Sequence, residues 1–264
     1  MSPQVNGSTR LYPIIGDPIS YVESPVRLTR SFEEQGHNGI CIPMRVTAED
    51  LDAVLSGLAA TRNVDGILVT MPHKFAVVAH CGELSERAQN LGAVSVMRRA
   101  HDLTWHGDML DGIAFVRAQL DRGAQVEGAR ALLVGAGAAG RAIALALLDE
   151  GVSELVIHDA TASRAFDLCD ILARLGRSHV TAGPPDPSGC DLVFNATPLG
   201  MEEGDPYPLV PELLKASMFV GDVIAGHGVT PFIRAAQAAG CTTANGDDMV
   251  AAVQTRMVEF FLST

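Results

Sequence analysis

Lysine is almost missing from this chain. Of 19 basic residues, only Lys74 and Lys215 are lysine and all the others are arginine. Acidic residues number 31, for a formal net charge of -12, which argues against nucleic acid or an anionic membrane surface as partner, since either calls for a basic face. No uninterrupted apolar run reaches the ~20 residues that cross a bilayer. The opening MSPQVNGSTRLYPIIG lacks the basic-then-apolar order of a signal peptide, so a cytoplasmic protein is expected. Cysteine is sparse as well: Cys41, Cys81, Cys169, Cys190 and Cys241 are odd in number, scattered and without C-x-x-C spacing. They read as reduced buried thiols of a cytoplasmic protein, neither disulfides nor a metal site. The eight histidines show no ligand spacing, so no metal is expected. Internal repeats and low-complexity tracts are absent.

The scarcity of lysine is informative in itself. Arginine stays protonated, whereas lysine can lose its proton when its surroundings lower its pKa, and so can shuttle a proton near neutral pH. In a chain that uses arginine for plain positive charge, a retained lysine is a candidate for acid–base work. Lys215, in Pro-Glu-Leu-Leu-Lys-Ala, reads as a solvated helix residue. Lys74, in Met-Pro-His-Lys-Phe, is the candidate, while His73 beside it reads as structural or solvated.

At 264 residues and 47% apolar composition the chain suits one large or two modest domains with a sizeable core. Its central stretch runs from Ala131 to Asp159, ALLVGAGAAGRAIALALLDEGVSELVIHD, and reads as strand, glycine turn, helix, strand. Gly135, Gly137 and Gly140 form a G-x-G-x-x-G between an apolar run and an alanine-rich helix. The first glycine makes the tight turn, the second lets backbone N–H groups approach a pyrophosphate, and the third lets helix and strand pack closely. Residues Gly135, Ala136, Gly137, Ala138, Ala139 and Gly140 are therefore expected to bind a dinucleotide at a helix N-terminus. Asp159 ends the next strand, where a carboxylate accepts bonds from ribose hydroxyls. A 2′-phosphate would sit against that charge, and Ala160 follows instead of an arginine, so NAD is expected over NADP. Arg164, at the start of the following helix, is the one group placed to receive a phosphate.

Strands are expected at 11–16, 39–46, 66–70, 93–98, 103–106, 179–182, 191–195 and 218–224. Helices are expected from Ser24-Pro25 as cap and first turn, from Thr47 as cap to Ala60, at 75–80 and 84–91, and at 112–122, 163–175, 230–239 and 249–262. The alternation argues for an α/β protein with parallel sheets and ligands at the carboxyl ends of strands. Lys74 and Asp111 both fall at strand ends outside the dinucleotide unit. In contact they would form a proton-transfer pair, but spacing alone does not bring them together.

The order of motifs resembles the shikimate dehydrogenase family from about Gly16 onward. Gly16-Asp17-Pro18-Ile19 with Ser24-Pro25 is similar to its opening substrate loop, Val69 to Lys74 to its V-T-x-P-x-K, and Leu91 to Val94 to its G-A-V segment. Gly107 to Gly112 is similar to G-x-N-T-D-G, Asn195 to Met201 to N-A-T-x-x-G-M, and Asp222 with Thr230-Pro231 to D-x-x-Y…T-P. The resemblance implies catalysis by Lys74 partnered by Asp111, and cofactor contacts from Asn195, Ala196, Thr197 and Pro198. It further implies two α/β domains: a substrate-binding domain over 1–108 plus 240–264, to which the last helix returns, and a Rossmann domain over 109–239.

Departures from the pattern fall on the substrate side. One of the family's two carboxylate-holding serines is Val22, leaving Ser24. Its asparagine before V-T is Leu68, its G-A-V-N asparagine is Ser95, its N-T before the aspartate is Met109-Leu110, and its tyrosine near the nicotinamide is Ala225. Thr70 is kept, and Gln254 stands near the position of a substrate-facing glutamine. Each buried polar group of a substrate left without its partner costs about 1–3 kcal/mol, so the expected substrate is a small, cyclic or short hydroxy compound less polar than shikimate. A shikimate or quinate dehydrogenase with an altered pocket and a dinucleotide-binding protein without turnover are the other readings. The expected partners are a small-molecule substrate and a nicotinamide cofactor, with the chain a monomer or homodimer.

Overall fold

The computed structural model describes residues 5–20, 22–177 and 179–263. The chain divides into two compact units, one of the described residues up to Leu110 together with those from Val253 on, the other Asp111–Ala252.

In the first unit, β1 (Arg10–Gly16), α1 (Ser24–Glu34), β2 (Gly39–Arg45), α2 (Leu51–Ala60) and β3 (Gly66–Val69) follow the alternation of the sequence. A 3-10 turn at Ala76–His80 leads to β4 (Glu83–Leu84), α3 (Glu86–Leu91), β5 (Val96–Arg99) and β6 (Trp105–Asp108). The sheet order is β2-β1-β3-β5-β6-β4. Strand β1 is parallel to β2 and β3, but β5 is antiparallel to both β3 and β6. This corrects the expectation of parallel sheets throughout: residues 100–104 are too few for a crossover helix and close a hairpin instead. Two helix starts also differ. Ser24 is the first helical residue and not the cap, with Glu23 ahead of it. Thr47 precedes α2 by a turn, and its hydroxyl donates to Asp50, which takes the cap position.

The second unit contains α4 (Asp111–Asp121), β7 (Arg130–Val134), α5 (Ala138–Asp149), β8 (Glu154–His158), α6 (Ala162–Arg174), β9 (Val180–Ala182), β10 (Leu192–Asn195), β11 (Phe219–Asp222), α7 (Pro231–Ala238), β12 (Thr242–Ala244) and the first turns of α8 (Gly246–Leu262), whose residues from Val253 on belong to the first unit. Its sheet, β12-β11-β10-β7-β8-β9, is parallel throughout. The chain moves outward from β7 to β9 and then crosses to β10 on the other side. The topological switch point therefore lies between β7 and β10, where ligands bind in sheets of this type. The short edge strand β12, which was not expected, pairs with β11 and carries residues 240–252 into this unit. Lys215 is exposed in a loop after a 3-10 turn and not on a helix.

Each unit has its own core. In the first, Tyr12 packs on Phe32 and on Phe261, with ring centroids 4.4 and 5.1 Å apart. Gly66 admits the Phe261 ring, which a Cβ there would meet, so the end of α8 is held in the first unit by aromatic packing. In the second, Leu132, Val193, Val220, Phe232 and Ile233 form one buried cluster, and Phe115 meets Phe194 edge-on at 5.3 Å. Among the described residues no helix is long and apolar enough to cross a membrane.

One buried polar group is out of keeping with this core. Gln119 of α4 is fully buried; its Nε2 donates to Phe115 O at 3.1 Å, and its Oε1 faces Gly221 with no partner among the described residues. A buried carbonyl without a donor is destabilising. Gln119→Met keeps the shape and removes the amide, so it is expected to raise the unfolding free energy by about 1 kcal/mol, measured by urea denaturation.

Candidate functional site

The glycine turn has the geometry that its spacing implies. Gly135 has φ +109°, donates to His158 O at 2.7 Å, and lies so close to the next crossover that a Cβ would come within 2.7 Å of Ala196 C. A Cβ on Gly140 would run into the Gly135 carbonyl oxygen. Gly137 differs, because nothing lies within 4 Å of where its Cβ would be. It caps α5 without a side-chain bond, and the first helical bond is Arg141 N to Gly137 O at 2.9 Å. The N–H groups before it have no partner within the helix and face an open cradle. Backbone N–H groups at Gly137, Ala138 and Ala139 would be the donors to a pyrophosphate at this helix start.

Asp159 reaches back to this turn. Its Oδ2 accepts Ala136 N–H and its Oδ1 accepts Thr161 N–H, both at 2.8 Å. Its carboxylate thus ties the glycine turn to the end of β8. Arg164 is exposed on α6. Arg141, half-buried on α5, has its pKa lowered chiefly by burial; Asp167 opposes that shift and the charge of Arg164 adds to it.

The end of β10 is organised by hydrogen bonds that the sequence did not reveal. Asn195 is fully buried: its Nδ2 donates to Asp222 Oδ1 (3.0 Å) and Leu199 O (3.3 Å), and its Oδ1 accepts Thr197 N–H (3.0 Å) and Thr197 Oγ1–H (2.6 Å). Both ends of the amide are engaged and sealed from solvent. The Asn195 side chain therefore shapes the loop. Ala196 and Thr197 are half-buried and Pro198 is exposed. Asp222 also accepts Thr230 Oγ1–H at 2.7 Å and Ile224 N–H at 3.1 Å, and Thr230 caps α7. Burial pushes the Asp222 carboxyl up to about 6, against the donors that surround it. Asp247 and Asp248 begin α8. Asp247 accepts Gly226 N–H, and Asp248 accepts Asn245 N–H and pairs with Arg122.

In the first unit, the loop carrying Lys74 is pinned along its length. Thr70 N donates to Ile15 O, Asp17 N to Met71 O, His73 N to Thr70 O and Val94 N to Lys74 O, at 2.8–3.0 Å. His73 is buried with Nε2 2.7 Å from Val46 O, the structural one of its two expected roles. Lys74 and Thr70 are half-buried. Leu68 lies in the core of β3, and Met109 and Leu110 are buried. Ser95 is buried with its Oγ accepting Leu110 N–H at 2.9 Å. Val22 and Ser24 are half-buried at the start of α1. The Gln254 amide nitrogen donates to Arg27 O at 2.7 Å and to Ser31 Oγ, both on α1. Asp111 opens the second unit as the first residue of α4 and is buried.

A further cluster lies just ahead of Asp111. Asp108, buried at the end of β6, receives Arg87 through Nε (2.8 Å) and NH2 (2.7 Å), together with Ser85 Oγ–H and Met109 N–H. Burial raises its carboxyl, and the hydrogen bonds from Arg87 and Ser85, the Arg87 charge and Met109 N–H outweigh that, so it lies below the usual carboxylate range. Ser85 doubles as the cap of α3. The pairing joins residues 21 positions apart, and no local pattern marks it. Among the described residues no group of three or more His, Cys, Asp or Glu side chains could hold a metal ion.

Residues 14–97 match the family model for the shikimate dehydrogenase substrate binding domain. Shikimate dehydrogenase (NADP(+)) of Rubrobacter xylanophilus is 37% identical over 254 residues, 94% of this chain and 89% of that one. Among solved structures, ligand-free 5-ketofructose reductase of Gluconobacter sp. strain CHM43 is similar with a TM-score of 0.85 and 27% identity, over 96% of this chain and 93% of that chain. Quinate dehydrogenase from Corynebacterium glutamicum in complex with NAD is similar with a TM-score of 0.86 and 27% identity, over 96% and 94%.

The Asp108 cluster makes a stability prediction with a definite sign. Because the folded carboxyl lies below its unfolded value, the pair stabilises above the unfolded pKa and its contribution is lost as pH falls through the folded one. Arg87→Met should lower stability at pH 7 by about 2 kcal/mol. The deficit should narrow below pH ~4, as read from denaturant midpoints at pH 7 and pH 3.

Proposed function

The chain belongs to the shikimate dehydrogenase family, and from that premise we propose that it moves a hydride between a nicotinamide dinucleotide and a hydroxyl or keto group of a small substrate, with Lys74 as general acid/base and Asp111 as its partner. An NAD(P)-dependent oxidoreductase acting on an alcohol is what the family membership gives. The two units are read as the substrate side, from the first, and the dinucleotide side, from the second. The observation that carries the assignment of Lys74 is its setting. One of only two lysines in an arginine-biased chain, it stands on a strand-end loop pinned by main-chain bonds at Thr70, Met71, His73 and Lys74 and by the His73 side chain.

The bound nicotinamide supplies a hydride acceptor in the oxidative direction. Lys74 Nζ would take the substrate O–H proton as the carbonyl forms, and return it in the reductive direction. Gly137, Ala138 and Ala139 hold the pyrophosphate, and Ala196, Thr197 and Pro198 receive the nicotinamide half.

The substrate is proposed to carry fewer polar groups than shikimate and to lack its carboxylate. Support comes from Val22 in place of a serine, from buried apolar side chains at Leu68, Met109 and Leu110, and from Ser95 Oγ being engaged by Leu110 N–H. Similarity to a protein named 5-ketofructose reductase fits a substrate without a carboxylate. NAD is proposed over NADP because Asp159 places a carboxylate where a 2′-phosphate would come. The opposite preference is favoured by Arg164 with Arg141 and by the NADP(+) in the name of the Rubrobacter relative.

Lys74→Met should lower kcat by ~10²–10⁴ while dinucleotide affinity stays unchanged, in a spectrophotometric assay backed by a binding titration. Unchanged turnover would remove Lys74 from the reaction. Shikimate, quinate, keto sugars and less polar cyclic alcohols, each tried with NAD and NADP, decide the rest. The expected outcome is turnover of a carboxylate-free compound with NAD and none of shikimate. Efficient shikimate turnover would mean that the apolar substitutions are tolerated, and NADP as the better cofactor would make Arg164 and Arg141 the phosphate site.

A further inference from the structure

The buried carboxylate of Asp222 is the hub of a continuous set of hydrogen bonds. Thr230 Oγ1–H and Ile224 N–H donate to it from the α7 cap and the turn after β11. Asn195 Nδ2 donates to it from β10. Holding Nδ2 toward Asp222 fixes which way the Asn195 amide faces, so its Oδ1 is presented to Thr197, whose N–H and Oγ1–H both donate to it. Thr197 Oγ1 in turn accepts Leu199 N–H at 3.2 Å. The conformation of residues 196–199 is thus set by a group two strands away from the glycine turn.

We propose that Asp222 is a positioning residue for the nicotinamide-side loop: as a carboxylate it orients Asn195 and thereby residues 196–199, and dinucleotide affinity falls when it takes up a proton. This rests on the reading that residues 196–198 receive the nicotinamide half. Every partner of Asp222 donates to it, so a proton there breaks one of those bonds. Of the partners only Thr230 Oγ1, which already accepts Ile233 N–H, and a reoriented Asn195 Oδ1 can take that proton, and in this proposal the Asn195 amide turns. Turning that amide withdraws the acceptor from Thr197. The carboxyl is displaced upward to about 6 by burial, which places the change within the range where the protein can be assayed.

The surroundings contain little else that titrates. Strands β10 and β12 carry no ionisable side chain. On α7 the only one is Arg234, which is exposed. Arg117 and Asp121 of α4 pair with each other at the surface, and Asp111 stands at that helix's start. In the neighbouring loop His227 is bonded to Ala225 O, and Asp247 of α8 holds Gly226 N–H.

The test is calorimetric titration of the full-length protein with NAD, and separately with NADP, from pH 5 to pH 8. Wild type should lose affinity ~10-fold between pH 7.5 and pH 5, the scale of one charge-assisted hydrogen bond. Asp222→Asn, which cannot ionise, should bind weakly and without pH dependence across the range. Thr230→Val removes a donor that favours the ionised form, so it should move the midpoint of the wild-type profile to higher pH, and Thr230→Ser should restore it. A general loss of folding would not move a midpoint, so the threonine pair decides the matter even where Asp222→Asn is poorly folded. A flat wild-type profile, wild-type affinity and profile in Asp222→Asn, or an unmoved midpoint in Thr230→Val would each overturn the proposal. Failure of wild type to bind either dinucleotide at any pH is a different result, which overturns the dinucleotide reading itself and this proposal with it.

Discussion

A carboxylate taken out of water must be surrounded by donors, and three aspartates at strand ends meet that demand in ways that fix the loops around them. Asp159 gathers Ala136 N–H and Thr161 N–H and so joins the glycine turn to β8. Asp222 gathers Thr230, Ile224 and Asn195 and so joins the ends of β10 and β11 to the start of α7. Asp108 gathers Arg87, Ser85 and Met109 and closes the end of β6 just before Asp111. Unmade, the bonds to Asp108 or Asp222 would leave a buried charge without compensation. Loops that would otherwise have many conformations are held in one, and they are the loops at the carboxyl ends of strands where ligands bind in such sheets.

The same requirement separates the two pKa directions. Asp108 has an arginine on it and its carboxyl is held down. Asp222 has only neutral donors, and burial wins. One is a fixed structural charge at any ordinary pH. The other sits close enough to neutrality to respond to the medium, in the unit that carries the glycine turn. The retained lysine belongs to the first unit, on a loop whose own rigidity comes from main-chain bonds and the buried His73. A proton-transferring amine on a fixed backbone needs little reorganisation at the moment of transfer.

The sequence by itself determined the second unit almost completely. Apolar runs of strand length, the G-x-G-x-x-G opening an alanine-rich helix, and an acid after the next strand give β7, α5 and β8 in order, because each signal is local and each is needed for a turn that side chains would block. It also singled out Lys74, through the scarcity of its residue type. Tertiary structure alone decided the rest. The antiparallel hairpin of β5 and β6, the edge strand β12, the choice of Asp50 over Thr47 as cap, and the engagement of the Asn195 amide by Asp222 and Thr197 all depend on partners that no local pattern reveals. Arg87 meets Asp108 across 21 positions and Asn195 meets Asp222 across 27. A polar residue in a sequence announces that it will need a partner when buried; only the folded chain chooses which one.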